Sequence, residues 1–383
     1  MEENNFQPEQ KRGRGRPRKL PGEPKTHYKS RVTGCNPLSS AHSYVEFLPD
    51  KSLEICEEHL NAFFSTMLER QLMWKRRFID KKPQPWTGDE IFRENRFTNV
   101  YRELDRSSQF VIKKIILANK DASLNNIVWK ILVYRLFNNP DTFELASFIW
   151  PGGIPDYENF DEQKEKYFSF IELIQKNGIN PFTNAYFISS SFAKGIQRVE
   201  AYTQIVLPKL WENINRILDI CLLAENPKDI INALQTIPGV KDFIANELYT
   251  DLLYVNKYTS RALIPFDVNA NTNVGPGSLL GIRLIYPNIE SREQQIAKMH
   301  ELLSIAENKL KAISIDNLEK MPYALYDSKK QEWVITDTFN LDISNIEGWL
   351  CEYSKYWKMS IEQGRKQRKF KPISENDSYE TKE

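Results

Sequence analysis

The sequence predicts a mainly α protein with one large helical body, and three observations carry that prediction. Apolar residues recur at i, i+3, i+4 and i+7 in segment after segment. Pro83, Pro85, Pro140, Pro151, Pro155 and Pro181 punctuate those segments as helix breakers do. Strand signals are few: Glu332–Thr338 (EWVITDT) alternates weakly and fits a short ribbon with a neighbour. The chain has 383 residues, 41% apolar, which is enough for a substantial core, and it shows no repeat of fixed period.

In chain order, residues 1–50 are rich in Pro, Gly, Lys, Arg and Ser and read as a flexible arm. A helix is expected from Leu53 to about Ile79, ended by Pro83 and Pro85. Thr87 then has the position of an N-cap, with Glu90 three residues on. Further helices are expected over 90–118, 124–138, 141–148, 161–176, 198–225, 228–236, 241–255, 291–312 and 344–362. The most apolar run, Ile127–Phe137, is interrupted by Lys130 and Arg135 and is too short to span a bilayer. The helical body therefore covers 51–372, and the acidic, polar residues 373–383 read as a disordered tail.

Lys+Arg number 52 and Asp+Glu 51, a net charge of +1. This balance excludes a uniformly basic nucleic-acid coat, so partners must be read from where the charge sits. Four cysteines (Cys35, Cys56, Cys221, Cys351) and four histidines (His27, His42, His59, His300) show no paired or metal-binding spacing. No disulfide framework, metal, cofactor or membrane span is expected, and the reading is a reducing cytosol.

The sharpest short motif is Lys11-Arg12-Gly13-Arg14-Gly15-Arg16-Pro17-Arg18-Lys19. Its centre, Arg14, Gly15, Arg16 and Pro17, resembles an AT-hook. Such a thin, extended core fits the narrow minor groove of A·T-rich double-stranded DNA, whose negative potential attracts guanidinium groups. A generic basic tail is the plainer alternative. Ile237-Pro238-Gly239-Val240, followed by Lys241 and a helical run, looks like a helix-hairpin-helix. Gly239, Val240 and Lys241 would present backbone amides and one charge to a DNA phosphate. An ordinary αα-corner has the same outline. This hairpin is typical of the DNA glycosylase superfamily. Its strand-cutting members carry a lysine four residues past the hairpin glycine, where this chain has Phe243. The superfamily also implies a charge-stabilising aspartate, for which Asp267 is the first candidate and Asp251 the second.

Arg96-Phe97-Thr98-Asn99-Val100-Tyr101-Arg102-Glu103-Leu104-Asp105-Arg106 reads as a helix with Phe97, Val100, Tyr101 and Leu104 on its core face. Arg102 and Asp105 would then be i,i+3 neighbours able to pair, either as a surface ion pair or as a site for an anionic substrate. Asn273-Val274-Gly275-Pro276-Gly277-Ser278 reads as a rigid turn whose amides could cradle an anion. Near the C-terminus, Gly364–Pro372, with Arg365, Lys366 and Arg368 around Phe370, suits DNA backbone contact or a solvated helix end. No GxxxxGK[ST] or GxSxG motif occurs.

Four stretches in this order, RFTNVYRELDR at 96–106, IPGV at 237–240, VGPGS…GI at 274–282 and IEGWLCEYSKY at 346–356, resemble a known group. It is the helical domain of 5-hydroxymethyl-deoxyuridine DNA kinases, with its relatives the alpha-glutamyl/putrescinyl-thymine pyrophosphorylases. The resemblance covers roughly 52–372. It implies a DNA-glycosylase-like fold acting on a flipped 5-hydroxymethylpyrimidine-type base, by group transfer to the 5-methylene or by base excision. Ser354 stands where the family usually has Asp, and the kinase's P-loop half is missing from this sequence. The residues so implied are Asn99, Arg102, Asp105 and Asp267 for chemistry. Arg96, Thr98, Tyr101, Asn273, Gly275, Pro276 and Gly277 would line a pocket. A non-catalytic module presenting DNA to a separate DNA-modifying kinase or nuclease is the rival reading. The compartment implied is the cytoplasm of a bacterial or phage-infected cell, near the nucleoid, or the nucleus of a eukaryote.

Overall fold

Helix follows helix along the chain: α1 (Glu57–Trp74), α2 (Glu90–Glu94), α3 (Arg106–Phe110), α4 (Leu124–Phe137), α5 (Pro140–Ala146), α6 (Phe160–Lys176), α7 (Arg198–Ala201), α8 (Leu207–Leu223), α9 (Pro227–Leu234), α10 (Asp242–Tyr258), α11 (Pro276–Ile285), α12 (Arg292–Asp316) and α13 (Ile343–Ser360). One antiparallel ribbon, β1 (Tyr323–Asp327) with β2 (Glu332–Thr336), pairs Tyr323 with Thr336 and Asp327 with Glu332. This computed structural model describes residues 54–183, 188, 192–316, 319–327 and 329–361. The arm motif at Arg14–Pro17, the basic run with Arg365, Lys366 and Arg368, and the acidic tail lie outside the described residues.

α4 sits at the centre because it is apolar on every side. Every residue from Ile127 to Phe137 is buried, and a helix with no polar face has to be enclosed by protein. Its two cations are buried with it, each matched by an acid. Lys130 meets Asp156 at 2.6 Å and donates to the Pro151 carbonyl, and Arg135 meets Asp251. Around α4, residues between Phe110 and Ile264 form one apolar core that includes α6, α8 and α10. A second core takes α1 and the residues up to Leu104, then α11, α12 and α13. The chain thus starts in the second core, crosses into the first just after Leu104, and returns between Ile264 and Ile282.

α11 and α13 pack with their backbones nearly touching. A Cβ at Gly281 would lie 2.2 Å from the Leu350 carbonyl oxygen, and one at Gly277 would lie 2.3 Å from Cys351 Sγ. The two glycines are four residues apart, on one face of the helix. The expected rigid turn at Gly275–Gly277 is therefore the start of a helix, with Pro276 at its first position. Close approach at Gly277 serves helix packing.

Three other expectations are corrected. The long helix expected from Leu53 begins at Glu57 and ends in a π-helical turn, Lys75–Ile79. The cap of α2 is Asp89, which accepts from the Phe92 amide, while Thr87 accepts from Asp89. The expected 90–118 helix is broken: after α2 the chain is irregular to Tyr101, then forms a 3-10 turn (Arg102–Leu104) before α3. Asp105 accepts from both the backbone and side-chain amides of Asn99, and Asn99 donates to the Leu104 carbonyl. Those local bonds replace the helical ladder. Phe97, Val100, Tyr101 and Leu104 are nonetheless all buried.

The helix–helix contact predicts opposite outcomes for two α11–α13 glycines. Gly281→Ala should cost about 1–3 kcal/mol through overpacking. Gly348→Ala, which meets nothing within 4 Å, should gain about 0.5–1 kcal/mol. Urea unfolding midpoints measure both, and equal midpoints would contradict the close packing.

Candidate active site at the seam of two cores

Where the chain crosses between the cores, the apolar packing gives way to charge. The α10 sequence ELYTDLLYVNKY places Glu247, Asp251, Tyr254 and Tyr258 at i, i+4, i+7 and i+11, one stripe of the helix. From the 3-10 turn, Arg102 grips Glu247 with its two terminal guanidinium nitrogens, Nη1 to Oε1 at 2.8 Å and Nη2 to Oε2, and its Nη2 lies 3.8 Å from Asp251. From α4, Arg135 holds Asp251 with Nε and Nη2 at 2.5 and 2.7 Å. The result is an alternating chain, Glu247–Arg102–Asp251–Arg135, whose charges cancel. Asp251 is fully buried and Arg135 is 1% exposed. Removing a charge from such a chain would strand its neighbour in a low-dielectric interior.

Four further carboxyls lie around the chain. Burial lifts Asp105 to about 6, against the pull of Asn99, Arg70 and Arg102. Arg70 reaches the same place through Asn99, donating to its Oδ1 at 2.8 Å. On α13, burial lifts Glu347 to about 7, opposed by Ser278 and Arg102 and reinforced by Glu247. Deeper in, Lys257 is ion-paired with Glu103 and lies 4.0 Å from Asp342, the N-cap of α13. Burial would raise Glu103, but Lys257 overrides it and the net shift is downward; Asp342 is raised by burial and by Glu103. Arg102 Nε, Glu103 Oε2 and the Tyr254 hydroxyl are buried without a hydrogen-bond partner among the described residues.

Chemically, Asp105 and Glu347 are acids poised to exchange protons near neutral pH, beside a guanidinium. Arg102 is committed to Glu247, so an incoming anion would have to compete with that carboxylate. Among the described residues no group of three His, Cys, Asp or Glu is placed to hold a metal ion, and no helix is long and apolar enough to cross a membrane.

The expected site residues divide. Asn99, Arg102 and Asp105 do converge, but Arg102 and Asp105 do not pair with each other as i,i+3 neighbours. Arg96 and Thr98 are exposed, and Tyr101 is a core residue whose hydroxyl donates to Asn340. Asp267 is exposed and accepts from the Asn269 amide, as a turn residue does. Asn273 accepts from Arg292 on α12. Gly275 and Ser278 lie against Glu347, with Glu347 Oε1 3.8 Å from the position of a Gly275 Cβ. Ser354 is buried and donates to the Cys351 carbonyl. Arg70, Arg135, Glu247 and Glu347 were not singled out in the sequence. The signals that could have found them were acids at helical spacing in α10 and cations inside an apolar α4.

Residues 235–241 join α9 to α10 in a tight hairpin. Asn226 and Asp229 close a capping box on α9, and the Val240 amide donates to the Ile237 carbonyl across the turn. Gly239 takes φ +82°, which favours glycine. Ile237 and Val240 are buried and anchor the turn, Pro238 and Gly239 are half-buried, and Lys241 is exposed as the N-cap of α10. Asp242 accepts from Gln235 across the hairpin. Along α10, Lys241 and Glu247 are about 9 Å apart.

A family model described as the helical domain of 5-hmdU DNA kinase matches residues 57–366. The chain belongs to that family. As a member, its helical domain is also similar to the 5-hmdU DNA kinase of Bacillus phage SP10, 27% identical over 305 residues. That match covers 78% of this chain and 44% of the phage protein, so the chain spans less than half the length of that relative. No solved structure matches.

The seam predicts different fates for two aspartates. Asp251→Ala should cost about 3–5 kcal/mol by stranding Arg135. Asp267→Ala, at an exposed turn, should cost less than about 1 kcal/mol. Equal losses in chemical denaturation would remove the seam network from the account.

Proposed function

We propose that this helical domain binds duplex DNA through the α9–α10 hairpin and receives one nucleotide, swung out of the stack, at the polar seam, in the metabolism of a 5-hydroxymethylpyrimidine base. The observation that carries the reading is the build of α10. Its N-terminus follows the Gly239–Lys241 bend, in which Gly239 is half-buried, the Val240 amide is bonded within the turn and Lys241 is exposed, and the first amides of the helix, with no intrahelical partner, suit a phosphate. Its next turns supply Glu247 and Asp251 to the seam. The family and the name of the phage relative supply the class of base.

Asp105 is then the general base, or the carboxylate that stabilises positive charge on the sugar, with Asn99 orienting it. Group transfer to the 5-methylene and base excision both use such a group. With Phe243 at the lyase position, excision would leave an abasic site without cutting the strand. The commitment of Arg102 to Glu247 favours a second reading, in which the domain presents DNA to a separate kinase and does no chemistry itself.

Incubation with duplex containing 5-hydroxymethyluracil, with and without a 5-pyrophosphate, followed by nucleoside mass spectrometry, separates transfer, excision and inert binding. Product formation should rise with pH through about 6 as Asp105 loses its proton. Asp105→Asn should lower it by roughly 100-fold or more with DNA affinity unchanged, within the usual range for removal of an acid–base group. Wild-type product levels in that variant would favour the presenting module. Deleting residues 1–24 should flatten the dependence of log affinity on log salt by about 0.9 for each phosphate the arm neutralises. An unaltered slope would take the arm out of DNA binding.

A further inference from the structure

The π-helical turn that ends α1 carries charge and apolar surface for which neither core nor seam accounts. Residues 75–82 (KRRFIDKK) hold five cations against one acid. The acids facing the turn match its inner cations: Lys75 pairs with Asp80 at 2.7 Å, and Arg76 is held by Glu69 and Glu319. The outer cations are placed differently. Arg77 stacks over the rings of Phe78 and Trp86, 4.6 and 4.8 Å from their centroids, which fixes a guanidinium and leaves its charge intact. Lys81 takes φ +51°, rare outside glycine, and both it and Lys82 are exposed, with Lys82 4.0 Å from Asp80. Between these cations Phe78 and Ile79 are each 37% exposed. The helix dipole accounts for cations at the end of α1, but not for two neighbouring apolar side chains left in water among them.

The turn also borders the seam. Arg70 and Arg77 are seven residues apart, two helical turns or about 10 Å along the axis. Arg70 donates to Asn99 at 2.8 Å, and Asn99 donates to Asp105. A row of cations with apolar groups between them complements a nucleic-acid backbone, which alternates charged phosphates with apolar sugar faces. We propose that this turn is a second contact for the DNA backbone, with Arg77, Lys81 and Lys82 at phosphates and Phe78 and Ile79 against the sugars between them. Charges along one strand are spaced about 3.4 Å apart, which puts the contact about three nucleotides from the extruded base. The proposal rests on the reading that the hairpin and the seam take duplex DNA.

The test titrates the full chain with a duplex carrying one 5-hydroxymethyluracil and reads the slope of log affinity against log salt by anisotropy. Lys81→Asn combined with Lys82→Gln removes two charges, and asparagine tolerates the positive φ. That variant should lower the slope by about 0.9 for each phosphate it no longer neutralises. The loss should add to that of Lys241→Ala at the hairpin. Phe78→Ala should weaken binding by the same factor at every salt concentration and leave the slope unchanged. Urea midpoints establish that each variant is folded. A single methylphosphonate, which removes one phosphate charge, is then moved along each strand. About three nucleotides from the modified base it should weaken wild type and leave the double-lysine variant unaffected. If that variant keeps the wild-type slope while Lys241→Ala lowers it, or responds to every methylphosphonate as wild type does, the turn serves only α1: the proposal is overturned and the hairpin reading survives. If wild type binds the duplex no more tightly at low salt than at high salt, the hairpin reading fails and the proposal with it.

Discussion

The two-nitrogen grip of Arg102 on Glu247 is the contact on which the rest of the structure depends. It crosses between two apolar cores that would otherwise meet as oil against oil. Buried ions are costly to desolvate, and this pair is supported by a second one, Arg135 with Asp251, so that charges alternate along the seam. That chain is self-neutralising, and beside it Asp105 and Glu347 form no ion pair among the described residues, whereas Glu103 is paired with Lys257. Burial raises both, with Glu247 adding to the rise of Glu347, while Arg70, Arg102 and Asn99 pull Asp105 down.

The same grip ties the seam to the hairpin. α10 is both the helix that follows the Gly239 bend and the helix that presents Glu247 and Asp251. A group bound at its N-terminus and one bound at its second and third turns are held at a fixed spacing by a single rigid element. On the opposite wall, Gly277 and Gly281 let α11 lie directly on α13, which brings Gly275 and Ser278 against Glu347. The proposed duplex and modified-base substrate rest on family membership and this geometry together, and the phage relative is more than twice as long as the matched region.

What the sequence revealed was mostly local. The stretch 96–106 identifies Asn99, Arg102 and Asp105 as belonging together, and Pro238-Gly239 marks the bend, because both signals are contained in a few neighbouring residues. The helical reading of 96–106 failed because Asn99 and Asp105 satisfy the backbone themselves. Arg102 finds its partner 145 residues away, at a distance that no local pattern encodes. α11 was hidden for a related reason. Gly275, Pro276 and Gly277 read as turn formers, and the helix exists because Gly277 and Gly281 dock it against α13, with tertiary contact overriding propensity. Asp267 stands out as an aspartate in the right stretch, yet it serves an exposed turn.

The central claim is that a nucleotide leaves the duplex and comes to rest at the seam. Photocrosslinking tests it most directly: a duplex carrying one 5-iodouracil is bound, irradiated and digested, and the attached peptides are identified by mass spectrometry. Crosslinks should fall within residues 96–106 and 343–351 and disappear when the iodouracil is replaced by thymine. Crosslinks confined to α6 or α8 would contradict the account.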